Sequence, residues 1–192
     1  MVLVLAAGCC LASCEGAPMD KAAEAKGAVE EARQAEADKY AAEAFVQLED
    51  SLRVGLIQLD REQAAFGLFR DYRGARHAFD WVRVEANKLR QQAQENKESL
   101  QKVTADMLQM ASTDVEATAS QVVRIPRRLE YIEEIHTFKN GLKSLRTTLQ
   151  EMNVDLRKEN FDQVQSKAKA VQEQAEKMRK EIRAVLMQGG AP

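Results

Sequence analysis

No cysteine follows position 14 in this chain of 192 residues, since the three cysteines are Cys9, Cys10 and Cys14. Cysteines clustered at one end cannot cross-link a fold, which excludes a disulfide-stabilised domain. Aromatic residues make up only 5% of the chain and three residues are proline. No segment alternates β-branched and polar residues as a half-buried strand does. These absences argue against a sheet protein and favour helices.

An excess of charge of one sign is also lacking. The 28 basic and 30 acidic residues are interspersed and give a net charge of −2, so no attraction to nucleic acid is expected. The two histidines, His77 and His136, stand in no metal-ligand spacing, and there is no glycine-rich phosphate loop or nucleophile motif. Glu133 and Glu134 beside His136 are interpreted as the solvated face of a helix. We therefore predict that the protein is not an enzyme and holds no metal or cofactor.

An apolar segment covers residues 1–13 and ends at Cys14. Its last residues, Leu11-Ala12-Ser13-Cys14, resemble the lipobox of bacterial lipoproteins, in which Leu and two small residues precede the cysteine that receives lipid. The sequence predicts a signal peptide over residues 1–13 and acylation of Cys14, with Ala6-Ala7-Gly8-Cys9 as a shorter alternative that places the lipid on Cys9. Residues 1–13 contain no Lys or Arg, so we expect the basic part of the signal peptide to precede Met1.

The predicted contact with the membrane is the N-terminal lipid. Acyl chains anchor a protein stably because each buried CH₂ contributes about 0.8 kcal/mol, whereas residues 1–13 alone are shorter than the roughly 20 residues that span a bilayer. Glu15 follows Cys14 in place of the Asp that retains some lipoproteins in the inner membrane. This resemblance implies the cell envelope, at the outer membrane facing the periplasm. The alternative is a cytosolic coiled-coil protein with an unmodified apolar start.

Helix-forming residues (Ala, Glu, Lys, Gln, Leu and Arg) dominate the rest of the chain. We predict an all-α fold, an elongated antiparallel helical bundle built from coiled-coil hairpins. The predicted segments are a lipidated tether (14–26), a helical hairpin with a long coiled-coil helix (27–112), a connector (113–128), an antiparallel coiled-coil hairpin (129–188) and a tail (189–192).

Three of the predicted helices carry apolar residues in alternating steps of three and four, which is the 3.5-residue repeat of a coiled-coil seam. The seam of the long helix comprises Val82, Ala86, Leu89, Ala93, Asn96, Leu100, Val103, Met107 and Met110. The other two seams comprise Tyr131, Ile135, Phe138, Leu142, Leu145, Leu149 and Met152, and Phe161, Val164, Ala168, Val171, Ala175, Met178, Ile182 and Val185. The polar Asn96 either fixes the register of its seam or lies exposed. The seams either pair internally or recruit another chain, including a second copy of this one.

Three features between residues 28 and 95 match a known pattern. They are Ala35-Glu-Ala-Asp-Lys-Tyr40-Ala-Ala-Glu43, a helix with spaced Leu48, Leu52 and Leu59, and Asp71-Tyr72-Arg-Gly-Ala75. Together they resemble a family of bacterial envelope proteins built on a helical domain of unknown function (the DUF4398 type), with Ala42 where that family usually has proline. The resemblance implies an envelope location and a helical shape, and no particular activity.

Half of the aromatic residues lie within one short segment of the sequence. They are Phe66, Phe69, Tyr72, Phe79 and Trp81, and they either pack the turn between two helices or form an anchoring patch for a protein partner. A basic segment, Arg124-Ile-Pro-Arg-Arg128, is assigned no function. The predicted role is that of a membrane-anchored periplasmic lipoprotein that acts as a scaffold or binds a partner. The alternatives are a periplasmic carrier or chaperone that binds hydrophobic ligands between helices, and a non-lipidated oligomeric coiled coil.

Overall fold

The computed structural model describes residues 16–188, apart from the side chain of Leu68. Within this range the chain is helical and has no strand, which confirms the predicted all-α helical bundle. Two 3₁₀ turns, Gly67–Phe69 and Leu129–Tyr131, precede the fourth and fifth helices. The helices are α1 (Met19–Gln34), α2 (Ala37–Tyr40), α3 (Ala42–Ala64), α4 (Arg73–Val123), α5 (Ile132–Arg157) and α6 (Phe161–Gln188).

The chain divides into two compact units, unit 1 (Met1–Asn96) and unit 2 (Lys97–Pro192), and the division falls within α4. This differs from the predicted segments, because α4 continues through most of the connector expected at 113–128. The apolar spacing continues there, with Ala111, Val115 and Val122 buried in unit 2, and no proline lies between the start of α4 and Pro126. The non-helical link is therefore shorter than expected.

Unit 1 packs α1 and α3 with the first part of α4. The segment predicted as a tether over 14–26 is helical from Met19. Alanine and valine at helical spacing line the buried face of α1, and small side chains let neighbouring helices approach closely. On the flank of this helix, Lys21 Nζ lies 2.6 Å from a carboxylate oxygen of Asp80 on α4. The buried residues of α1 are Ala22, Ala25, Val29 and Ala32.

The contact between α3 and α4 requires a glycine. A Cβ at Gly55 would lie 2.9 Å from Cε1 of Phe79 and 3.2 Å from Cβ of Ala78. Phe79 is 1% exposed and therefore has no room to move. Gly55 thus sets the separation of the two helices at the centre of unit 1.

Unit 2 packs α5 and α6 as an antiparallel pair. Every predicted seam residue of both helices is buried or half-buried, as expected. Lys167 of α6 lies 2.8 Å from Asp155 and 3.3 Å from Glu151 near the end of α5, and its hydrogen bond is the largest cause of the lowered pKa of Asp155. The turn has Glu159 at φ 58°, with Asn160 N–H donating to the Asp155 carbonyl at 3.0 Å, which is a Schellman-type helix end.

The predicted seam of α4 is confirmed in its first half and holds only in part in its second, where Leu100 and Met107 are half-buried. Val82, Ala86, Leu89 and Ala93 are buried, whereas Asn96, Val103 and Met110 are exposed. An ideal α-helix drifts by about 20° per heptad against a strict 3.5-residue repeat, so one face does not keep such a seam along a helix of this length. In unit 2 the buried residues of α4 are instead Thr104, Leu108, Ala111, Val115, Thr118 and Val122.

The exposed position of Asn96 settles the two alternatives for this residue. Its side-chain amide donates a hydrogen bond to the backbone carbonyl of Tyr40 at 2.8 Å. Tyr40 is the last residue of α2, where carbonyl groups lack a partner within the helix. Asn96 therefore caps the end of α2 within unit 1.

Gly27→Ala is expected to stabilise unit 1 by about 0.5–1 kcal/mol. Gly27 lies within α1, and a Cβ there would meet nothing within 4 Å. The matched control is Gly55→Ala, in which the same gain in helix propensity is opposed by overpacking against Phe79, at a cost of about 1–3 kcal/mol. Urea denaturation of both variants measures the difference. Equal stabilisation by the two substitutions would contradict the close contact at Gly55.

Candidate functional site

The five clustered aromatic residues divide into a buried and an exposed group. Tyr72 and Phe79 are core residues of unit 1. Phe66 and Phe69 are 72% and 78% exposed, with ring centroids 6.4 Å apart, and Trp81 on α4 is 43% exposed. The packing interpretation is therefore confirmed for Tyr72 and Phe79, and the anchoring patch stays a prediction for Phe66, Phe69 and Trp81.

Phe66 and Phe69 lie in the link between α3 and α4, here called the phenylalanine loop (residues 65–72). Polar contacts hold this loop against the end of α3. The guanidinium of Arg70 donates to the carbonyls of Ala65 and Gln63, both at 3.0 Å. These contacts reduce the freedom of the backbone that carries the two exposed rings, and order before binding lowers the entropic cost of association.

Asp71 fastens the other end of the phenylalanine loop to α4. Its backbone N–H donates to a carboxylate oxygen of Glu62 at 2.9 Å. Its own carboxylate accepts a hydrogen bond from the backbone N–H of Arg73 at 3.0 Å and from the Arg73 guanidinium at 2.8 Å. Hydrogen bonds from the Arg73 side chain, followed by the one from its backbone, lower the pKa of Asp71 to about 2. An aspartate that accepts a bond from two residues ahead is a common turn-forming device.

The pKa of Asp71 is a test of how this loop is held. Because the folded pKa lies below the unfolded value of about 3.9, the contact stabilises the fold at higher pH and is lost as pH falls from about 4 towards 2. NMR titration of the carboxyl group should give a midpoint near 2 in the native chain, and Arg73→Gln should raise it. A midpoint near 4 in both proteins would show that the contact does not form in solution.

Unit 2 contains a cleft of about 440 Å³ where α4 ends and α5 begins, here called the connector cleft. This volume lies within the range of about 300–1,000 Å³ that ligand clefts occupy. Val123 is 80% exposed and Ile132 is 51% exposed, so part of its aliphatic wall faces solvent. The lining residues are Val122, Val123, Ile125, Arg127, Ile132, Ile135, His136 and Lys139.

The ionisable groups that line the connector cleft are Arg127, His136 and Lys139, and no carboxylate lines it. The side-chain amide of Asn140 lies 3.3 Å from Nδ1 of His136. An amide nitrogen only donates, so Nδ1 accepts and the proton of the neutral ring is assigned to Nε2. Arg127, His136 and Lys139 can therefore each donate a hydrogen bond to an anion.

The remaining candidates are the residues considered for metal binding and the cysteines predicted to be acylated. No group of three His, Cys, Asp or Glu side chains that could hold a metal ion is found between residues 16 and 188. Glu133 and His136 are exposed, and Glu134 is half-buried. Cys14 and the alternative Cys9 lie outside the described residues, so their predicted acylation stays a prediction.

None of the helices described between residues 16 and 188 is both long and apolar enough to cross a membrane. Comparisons of the chain with protein-family models, with curated proteins and with solved structures find no match. The resemblance to the envelope family over residues 28–95 therefore stays a prediction.

The connector cleft is not predicted from the sequence, in which the basic segment from Arg124 to Arg128 stands out but its apolar neighbours do not. The signal in the sequence is that Val123, Leu129 and Ile132 are apolar but lie in no predicted seam. In the structure all three are exposed. Which of these side chains share a cleft depends on how α5 folds back after Pro126, and that is not a local property of the sequence.

Proposed function

We propose that this chain is an envelope lipoprotein, anchored by acyl chains on Cys14, whose helical units present a binding surface for a protein partner. The observation that carries the anchor is the lipobox-like Leu11-Ala12-Ser13-Cys14 at the end of an apolar segment. The proposed location is the outer membrane on its periplasmic side. The role is that of a scaffold, since helices packed by continuous cores hold a surface at a defined place.

The phenylalanine loop is the proposed contact for the partner. Phe66 and Phe69 are each more than 70% exposed, so in the monomer their apolar surface stays in contact with water. A partner that covers these rings removes that surface from water, and aromatic residues are enriched among interface anchors. The hydrogen bonds of Arg70 and Asp71 support this assignment because they hold the loop in one conformation. Trp81 belongs to the same unit and is a second candidate anchor.

The partner contact is tested by photo-crosslinking in intact cells of the native host. A photoreactive phenylalanine analogue at Phe66 or Phe69 should give an adduct of discrete mass, whereas the same analogue at Val46, which is exposed on α3, should not. Truncating an interface anchor costs about 2 kcal/mol, so Phe66→Ser should weaken binding of the captured partner about 30-fold. Equal adducts at Phe66 and Val46, or none at either phenylalanine, would contradict the assignment.

A further inference from the structure

We propose that the connector cleft binds a single-chain anionic amphiphile of the long-chain fatty acid type. The acyl chain would lie on the aliphatic wall, and the carboxylate would lie between Arg127 and Lys139. This assignment concerns unit 2 alone and does not depend on acylation of Cys14 or on the phenylalanine loop.

The apolar part of the ligand is inferred from the wall of the cleft. Five of the eight lining residues are valine or isoleucine, and Phe, Tyr and Trp are absent from the lining. Exposed aliphatic surface gains free energy when it is removed from water, in proportion to its area. Flexible hydrocarbon is therefore the chemistry that this wall fits.

The charged part of the ligand is inferred from the cations. Among residues 16–188, neither Arg127 nor Lys139 forms an ion pair or a side-chain hydrogen bond. Glu130, the acidic residue nearest to Arg127 in the sequence, lies 3.6 Å from Arg128 and does not line the cleft. Two cations beside an aliphatic wall complement one anionic head group, and an Arg fork matches a carboxylate well.

Two further groups add to this complementarity. His136 lines the cleft with its Nδ1 engaged by Asn140, so its Nε2–H can donate to a carboxylate oxygen. Glu133 and Glu134 belong to the first turn of α5 but are absent from the lining. The cleft thus combines an aliphatic wall with donors and lacks an acidic group that would repel a carboxylate.

The test uses the full chain with Cys14→Ser, titrated by calorimetry with oleate, oleyl alcohol and oleylamine below their aggregation concentrations. The structure predicts saturable binding of one oleate per chain, with weaker binding of the neutral and cationic analogues. Arg127→Glu combined with Lys139→Glu should weaken oleate binding at least about 10-fold, which is the effect of losing one good ionic contact, and should leave oleyl alcohol unchanged. Ile132→Ser, at a half-exposed position, should weaken both.

The matched control is Lys102→Glu combined with Lys169→Glu, two exposed cations of unit 2 that do not line the cleft. This variant should bind oleate as the native chain does, and circular dichroism should show all variants equally helical. Equal loss of oleate binding in the control would overturn the proposal, as would oleyl alcohol binding as tightly as oleate. Absence of oleate binding would also overturn it.

Discussion

Cys14→Ser is expected to move the protein from the membrane fraction of its native host to the soluble fraction. The acyl chains are the proposed anchor, and each buried CH₂ contributes about 0.8 kcal/mol, so their loss removes the membrane affinity almost entirely. The charged helical surface offers little replacement, because 30% of the residues are charged and the net charge is only −2. Fractionation followed by immunoblotting measures the change.

Cys9→Ser is the matched control for this prediction. It removes a cysteine from the same apolar segment and leaves Leu11-Ala12-Ser13-Cys14 intact, so the protein should stay with the membrane. The opposite pattern, with Cys9→Ser released and Cys14→Ser retained, would assign the lipid to Cys9. Release of neither variant would contradict lipid anchoring through these two cysteines.

Phe79→Ala is expected to lower the free energy of unfolding of unit 1 by about 3–5 kcal/mol. The ring is 1% exposed and touches the backbone side of α3 at Gly55, where no larger side chain can move in to fill the space. Trp81 is the only tryptophan of the chain and lies within unit 1, so its fluorescence during urea denaturation reports on this unit.

Phe66→Ala is the matched control, since it deletes the same side chain at a position that is 72% exposed. A surface substitution of this kind changes stability by no more than about 0.5 kcal/mol. Similar effects of the two substitutions would contradict the placement of Phe79 in the core and of Phe66 on the surface. A large loss for Phe66→Ala alone would show that the phenylalanine loop packs against the unit.

The seams of α5 and α6 could be predicted from the sequence because the two helices are neighbours in the chain. Residues such as Leu145 and Val171 repeat at 3.5-residue spacing, and the short turn at Glu159 places the two stripes face to face. Local spacing is then sufficient to determine which face of each helix is buried.

The second half of α4 could not be predicted in this way. Its apolar and small residues satisfy two registers, one through Val103 and Met110 and the other through Leu108 and Val115, and only the second is buried. The choice depends on the partners of the helix in unit 2. Thr104 illustrates this dependence, because it is buried and accepts a hydrogen bond from Gln165 of α6 at 3.1 Å.

The candidate sites show the same limit. Clustering of aromatic residues indicated a region of interest, but spacing alone does not separate the buried Tyr72 and Phe79 from the exposed Phe66 and Phe69. Their difference arises because the first pair lies on or beside the core face of α4 and the second pair lies in a loop held by Arg70. The connector cleft exists only once α5 has folded back beside α4.

Intact mass spectrometry of the protein from the membrane fraction of its native host tests the central claim of lipid anchoring most directly. A mass equal to residues 14–192 plus two or three acyl chains, absent from the Cys14→Ser variant, is the predicted result. An unmodified chain that begins at Met1 and is recovered from the soluble fraction would contradict the anchor and the envelope location. The helical units and their two exposed surfaces do not depend on that result.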